Sequence, residues 1–117
     1  MQKDQTQERL KTQSEFGGFV REKRLKKNIR LREFSRMVGI SPAYISKMEM
    51  GESAPPKEEN IKKMATILNV DTDMLLAKAN KISADIQAVI VSQPSLYASL
   101  LRRAKPTQIK KLLEDIE

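Results

Sequence analysis

The chain has 117 residues, a net charge of +7, and neither cysteine nor histidine. This length holds one small domain with an appendage, scarcely two full domains. Without His, Cys, a glycine-rich phosphate loop or metal-ligand spacing, an enzyme is not expected, and no cofactor, metal or small-molecule ligand is indicated. The polar N-terminus lacks a signal-peptide core and no apolar run is long enough to span a membrane. We therefore expect a soluble cytoplasmic protein without a membrane partner.

The first 15 residues are polar, have no net charge and show no repeating apolar stripe. This composition predicts a flexible polar tail over residues 1–15. A basic arm that follows a nucleic-acid groove is the alternative, and the zero net charge disfavours it.

Two helices are predicted after this tail. The first is expected to begin near Phe16, or just after Gly17-Gly18, and to end near Lys27. The second carries one apolar face at helical spacing, formed by Leu31, Phe34, Ser35 and Val38. Gly39 then breaks the pattern.

A third short helix follows the glycine almost at once. Ser41 is a good N-cap residue, Pro42 suits the first helical position, and Gly51 is expected to end the helix in left-handed conformation. Helix, glycine-containing turn and helix is the helix-turn-helix arrangement. Ile45 and Met48 are expected to face the core. The opposite, outward face carries small residues and one cation, namely Pro42, Ala43, Ser46 and Lys47.

The order of these residues resembles the DNA-binding domain of the Xre/Cro-type phage repressor family. The matching pattern is Phe34-Ser35-x3-Gly39-Ile40-Ser41-x2-Tyr44-Ile45-Ser46-x2-Glu49-x-Gly51. The resemblance covers roughly residues 16–80 and implies an all-α, five-helix repressor-like domain of bacterial or phage origin. Double-stranded DNA is the partner that it implies.

In that family the base-reading positions fall on Pro42, Ala43, Ser46 and Lys47. Lys47 suits a hydrogen bond to guanine O6 or N7, and Ser46 can donate or accept. Pro42 and Ala43 can offer only apolar contact, so DNA shape is expected to carry part of the specificity.

The resemblance also implies a structural ion pair between Arg24 and Glu49, tying the first helix to the third. At Arg30-Leu31 the chain departs from the family, which often has Thr-Gln there, and Leu31 cannot bond a phosphate. We therefore assign the phosphate contacts to other residues. They are Arg30, Arg32, Ser41, Tyr44 and Lys57.

The charge distribution supports this interpretation. Residues 16–50 hold nine basic and three acidic side chains, a net charge of +6, whereas residues 51–80 have a net charge of −1. The basic excess thus lies on the helix-turn-helix segment, as a polyanion-binding surface requires.

Two more helices complete the predicted domain. The fourth opens at Lys57 and has apolar positions Ile61, Met64, Ala65 and Leu68, and the fifth is capped by Asp71 or Thr72 and contains Met74, Leu75 and Leu76. The methionines are interpreted as core residues.

Residues 81–117 form three further predicted helices, the first capped by Ser83 and the last by Thr107. Each has an apolar stripe, which a single helix cannot bury by itself. They are interpreted as a dimerisation module, with docking on the preceding domain as the alternative. The proposed dimer contacts are Ile86, Val89, Ile90, Leu96, Leu100, Leu101, Ile109, Leu112, Leu113 and Ile116.

These features predict a homodimeric repressor that inserts helix 42–50 into the major groove of a palindromic operator. The alternative is an antitoxin- or immunity-type regulator, whose helices in 81–117 bind a different protein.

Overall fold

The computed structural model describes residues 2–116. Within that range the chain is all helical, with eight α-helices and no strand. The helices are α1 (Gln2–Lys26), α2 (Leu31–Val38), α3 (Pro42–Glu49), α4 (Glu58–Leu68), α5 (Thr72–Lys78), α6 (Ala84–Ser92), α7 (Pro94–Arg103) and α8 (Pro106–Asp115). They fall into two compact units, which divide after Ser83. None of the described helices is long and apolar enough to cross a membrane.

The first unit has a continuous apolar core to which all of α1 to α5 contribute. The predicted faces of α2, α3 and α4 are the ones that are buried, because apolar residues three and four apart lie on one side of a helix. The core residues are Phe16, Val20, Phe34, Val38, Ile45, Met48, Ile61, Met64, Ala65, Leu68, Leu75, Leu76 and Ala79. This core holds α3 with its remaining face outward.

The beginning of the chain differs from the prediction of a polar tail over residues 1–15. Helix α1 begins at Gln2, so the predicted start near Phe16 was wrong, and Gly17 lies inside the helix. The segment before Phe16 has no apolar stripe, but its Gln13 is buried and its Ser14 lies against Gly51. Polar and backbone contacts of this kind leave no hydrophobic period in the sequence.

The methionines are divided between the core and the surface. Met48 and Met64 are fully buried, as expected of core residues. Met37, Met50 and Met74 are exposed, so their interpretation as core residues was wrong. Because methionine is flexible and only moderately apolar, its presence in a helix does not determine which face it occupies.

The turn between α2 and α3 follows from local chemistry. Gly39 ends α2 in left-handed conformation, with φ +85°, and its N–H donates to Ser35 O at 2.8 Å. The Ser35 hydroxyl donates to the Ile40 carbonyl. The connection is therefore closed by its own hydrogen bonds, which fix the angle between the two helices.

The second unit consists of α6, α7 and α8, and none of residues 84–116 is buried. Proline occupies the first position of α7 and of α8, where a missing N–H is harmless. The prediction that Thr107 caps the last helix was wrong, since α8 begins at Pro106 and the Gln108 side chain accepts from the Lys105 N–H at 2.8 Å. The unit has apolar stripes but no core of its own.

Candidate nucleic-acid interface

The outer edge of α3 is the candidate recognition surface. Pro42, Ala43 and Lys47 are exposed and Ser46 is half-buried, while Ile45 and Met48 on the opposite face have no exposed surface. The four side chains that the sequence assigned to base reading therefore share one accessible edge. That edge has small residues at its N-terminal end and a cation one turn later.

Both ends of α3 are capped. The Ser41 Oγ accepts from the Tyr44 N–H at 3.2 Å, and its hydroxyl proton remains able to bond a phosphate. At the other end Gly51 has φ +78° and donates to Met48 O, while the Glu52 N–H donates to Lys47 O. These two bonds form a Schellman motif, which terminates the helix at a defined residue.

The Tyr44 hydroxyl, which was predicted to contact a phosphate, makes a hydrogen bond within the protein. Its hydroxyl donates to the Ala54 carbonyl at 2.5 Å, so its proton is used within the protein. A phosphate oxygen only accepts, and the contact would have to replace this bond. Partial burial raises the pKa of the Tyr44 phenol, which favours the protonated, donating form. In this structure the hydroxyl ties α3 to the loop that follows it.

The start of α2 supplies a cationic flank. Arg30 and Arg32 are exposed, and Arg30, at the N-cap position, makes no side-chain cap. The first N–H groups of α2 are therefore not capped by the Arg30 side chain, and such groups favour an anion. Lys57, also in the predicted phosphate set, is exposed and lies 3.7 Å from Glu59 in a loose surface pair.

Behind the recognition edge lies the ion pair that the resemblance implied. Arg24 Nε and Nη2 donate to the two Glu49 oxygens at 2.7 and 2.8 Å, and Nη1 donates to Ile29 O at 2.8 Å. The side chains are only 7% and 2% exposed. The hydrogen bonds that Arg24 donates to Glu49 raise the pKa of the Arg24 guanidinium, against the opposing effect of desolvation.

Contacts behind α3 also include two residues that the sequence did not single out. Ser14 approaches Gly51, and Gly17 lies against the backbone at Met48 and Glu49. The available signal was the glycine itself, since a glycine inside a helical segment often marks a packing constraint. Because the helix was expected to begin near Phe16 or just after Gly17-Gly18, this glycine was placed at a helix end, where it indicates no packing constraint.

Residues 20–75 match a helix-turn-helix family model. This segment is a helix-turn-helix domain of the Xre/Cro type. Over 71 residues, 61% of its length, the chain is 39% identical to RghRB of Bacillus subtilis (strain 168), an uncharacterized HTH-type transcriptional regulator. The aligned region is 51% of that protein, so the chain spans about half the length of this relative.

Solved structures show the same fold. The clp gene regulator ClgR from Corynebacterium glutamicum superposes with a TM-score of 0.52 at 25% identity, over 76% of this chain and 89% of that one. The SinR protein/SinI protein complex gives a TM-score of 0.50 at 18% identity, over 85% of this chain and 91% of that one. The predicted all-α, repressor-like fold is confirmed.

Proposed function

We propose that this protein is a sequence-specific regulator of transcription that binds double-stranded DNA with α3 in the major groove. The observation that carries the proposal is the chemistry of the outer edge of α3 within a helix-turn-helix domain. The one acidic residue of α3, Glu49, is buried and paired with Arg24, whereas Lys47 is exposed. The outer edge of α3 thus presents a cation and small side chains to a polyanion, and α3 has no exposed carboxylate that would repel it.

Lys47 is the proposed direct reader of a base. Its ammonium group can donate to guanine O6 or N7, which both face the major groove. Ser46 adds a group that can donate or accept, and Pro42 and Ala43 offer apolar contact to a thymine methyl group. Few hydrogen bonds are available on this edge, so sequence-dependent DNA shape supplies the rest of the specificity.

Phosphate contacts are proposed for the residues around this edge. Arg30 and Arg32 lie at the start of α2, where helix N–H groups and guanidinium charges favour the same anion. The Ser41 hydroxyl and the Lys57 ammonium complete the set. Tyr44 is left out, because its hydroxyl donates to Ala54.

We further propose that the protein acts as a homodimer through its second unit. The apolar side chains of α6, α7 and α8 stay largely in contact with water in the single chain, as Leu112 and Leu113 do at 55% and 66% exposure. A second copy can cover them symmetrically, and a two-fold dimer matches two half-sites about 34 Å apart on one DNA face. A dimer on such a palindrome would repress by occluding a promoter.

The test begins with selection of a binding site from a pool of random duplexes. The protein is expected to enrich a palindromic sequence and to bind it at least about a thousandfold more tightly than a scrambled duplex near physiological salt. Lys47→Ala should remove most of that preference. Lys63→Ala is the matched control, because Lys63 is also an exposed lysine and no DNA contact is assigned to it. It lies on α4, where it lines a shallow groove with Met37.

The two lysine variants carry the same loss of charge, so the comparison separates base reading from general attraction to DNA. Equal preference in wild type, Lys47→Ala and Lys63→Ala would contradict the assignment of Lys47. A pool that enriches no sequence with the wild-type protein would contradict sequence-specific binding itself.

A further inference from the structure

Gly17 lies where α1 passes close to the backbone of α3. A Cβ atom placed on Gly17 would lie 2.0 Å from the Met48 carbonyl oxygen and 3.1 Å from the Glu49 carbonyl carbon. Both atoms belong to the backbone, so no side-chain rotation can relieve the contact. The neighbouring Gly18 differs completely, since a Cβ there would meet nothing within 4 Å.

Gly51, just after α3, makes a second close approach to α1. A Cβ at this position would lie 2.8 Å from Ser14 Oγ and 3.0 Å from Ser14 Cα. The left-handed conformation of Gly51 is a separate constraint, which asparagine can meet: Asn28, Asn69 and Asn80 all have positive φ in this chain. Space, rather than φ alone, therefore restricts this position.

These contacts hold one end of α3 at three points. Ser14, Gly17 and Arg24 of α1 lie against the C-terminal end of α3 and the glycine that follows it. The base-facing edge begins at the other end of the same eight-residue helix. A rigid helix held at one end transmits any shift there to its whole length.

We propose that Gly17 and Gly51 are positioning residues, which determine how deeply α3 enters the major groove. This inference rests on the proposed function. Ordinary contact begins at 3.4 Å, so a Cβ on Gly17 requires α1 and α3 to separate by about 1.4 Å. A hydrogen bond near 2.9 Å is lost when its atoms move apart by that amount. Long arginine and lysine side chains at the phosphates can follow such a shift.

The test compares Gly17→Ala with Gly18→Ala. The two substitutions are the same chemical change at adjacent positions of one helix, and both remove a helix-interior glycine. Binding is measured to the selected duplex and to a scrambled duplex, and the ratio of the two affinities is the readout. A variant that is only less stable loses both affinities by the same factor, which leaves the ratio unchanged.

Gly18→Ala should keep the wild-type ratio and melt at a slightly higher temperature, because alanine favours a helix interior. Gly17→Ala should lower the ratio at least about tenfold, while its affinity for the scrambled duplex changes less than about twofold. This result is expected because short hydrogen bonds to bases are lost, whereas long side chains keep their contacts with phosphates. An unchanged ratio in Gly17→Ala would overturn the inference.

Gly51→Asn provides the second variant if Gly17→Ala does not unfold cooperatively in circular dichroism. Asparagine accepts the positive φ, so the remaining effect is the contact with Ser14. The ratio should fall in the same direction but by less, because a Cβ at Gly51 needs only about 0.4 Å more space from Ser14 Cα. An unchanged ratio would overturn the inference. A wild-type protein that prefers no duplex would instead identify a failure of the proposed function.

Discussion

Removing one partner of the buried Arg24–Glu49 pair should destabilise the domain more than any surface charge change. Glu49→Ala takes away both oxygens that accept from the guanidinium, and only the bond to the Ile29 carbonyl remains. Breaking one half of a buried pair costs about 3–5 kcal/mol, because the remaining charge is left without compensation. That is a large part of the roughly 5–15 kcal/mol that stabilises a small domain.

The double variant Arg24→Met/Glu49→Leu should recover much of this loss. It replaces both charges by apolar groups of similar size, a change that is often neutral or even stabilising for buried pairs. The free energies of unfolding are obtained from urea denaturation followed by circular dichroism at 222 nm. The losses of the single variants Arg24→Met and Glu49→Leu should together exceed the loss of the double variant by several kcal/mol.

The exposed pair Glu22–Lys26 on α1 is the control, at 3.6 Å and with side chains 60% and 68% exposed. Glu22→Ala should cost less than about 1 kcal/mol. The raised pKa of Arg24 means that its contribution to stability is fully present below the usual arginine value and is lost only above it, so the effect should be equal at pH 7 and pH 9. A Glu49→Ala loss as small as that of Glu22→Ala would refute the reasoning.

Three further predictions address the loop, the phosphates and the dimer. Burial raises the pKa of Tyr44, so the stabilising effect of its phenol is present below about pH 10 and is lost as the pH rises through the folded-state pKa. Between pH 9 and 11 the Tyr44→Phe variant should therefore lose less thermal stability than the wild-type protein. Equal losses would contradict this. Arg30→Ala and Arg32→Ala should each reduce the slope of log affinity against log salt by about one, whereas unchanged slopes would argue against phosphate contacts. Leu112→Asp should convert a dimer to monomer in sedimentation equilibrium. A wild-type chain that stays monomeric at all concentrations would contradict the homodimer and favour a different protein partner for residues 81–117.

The parts of the fold that the sequence predicted depend on local rules. Ser41 and Pro42 define the start of α3, and Gly51 defines its end, because caps and left-handed residues act within a few positions of the chain. The buried face of α4 likewise follows from a helical period. The helix-turn-helix core could therefore be predicted from residue order alone.

The parts that could not be predicted depend on contacts between distant residues. The N-terminal half of α1 packs through the buried Gln13 and through Ser14, neither of which contributes to an apolar pattern. The Tyr44 hydroxyl finds the Ala54 carbonyl only because the loop after α3 folds back. Phosphate and carbonyl oxygens are equivalent partners for a phenol, so the residue type did not distinguish between them.

The most direct test of the recognition edge is a double-mutant cycle between Lys47 and single guanines of the selected site. Each guanine is replaced in turn by 7-deazaguanine, which lacks the N7 acceptor, and binding is measured with wild type and with Lys47→Ala. One replacement should weaken wild-type binding by about 1–3 kcal/mol and leave Lys47→Ala unaffected. If every replacement has the same effect on both proteins, Lys47 does not bond guanine N7, and the proposed contact with that atom is contradicted.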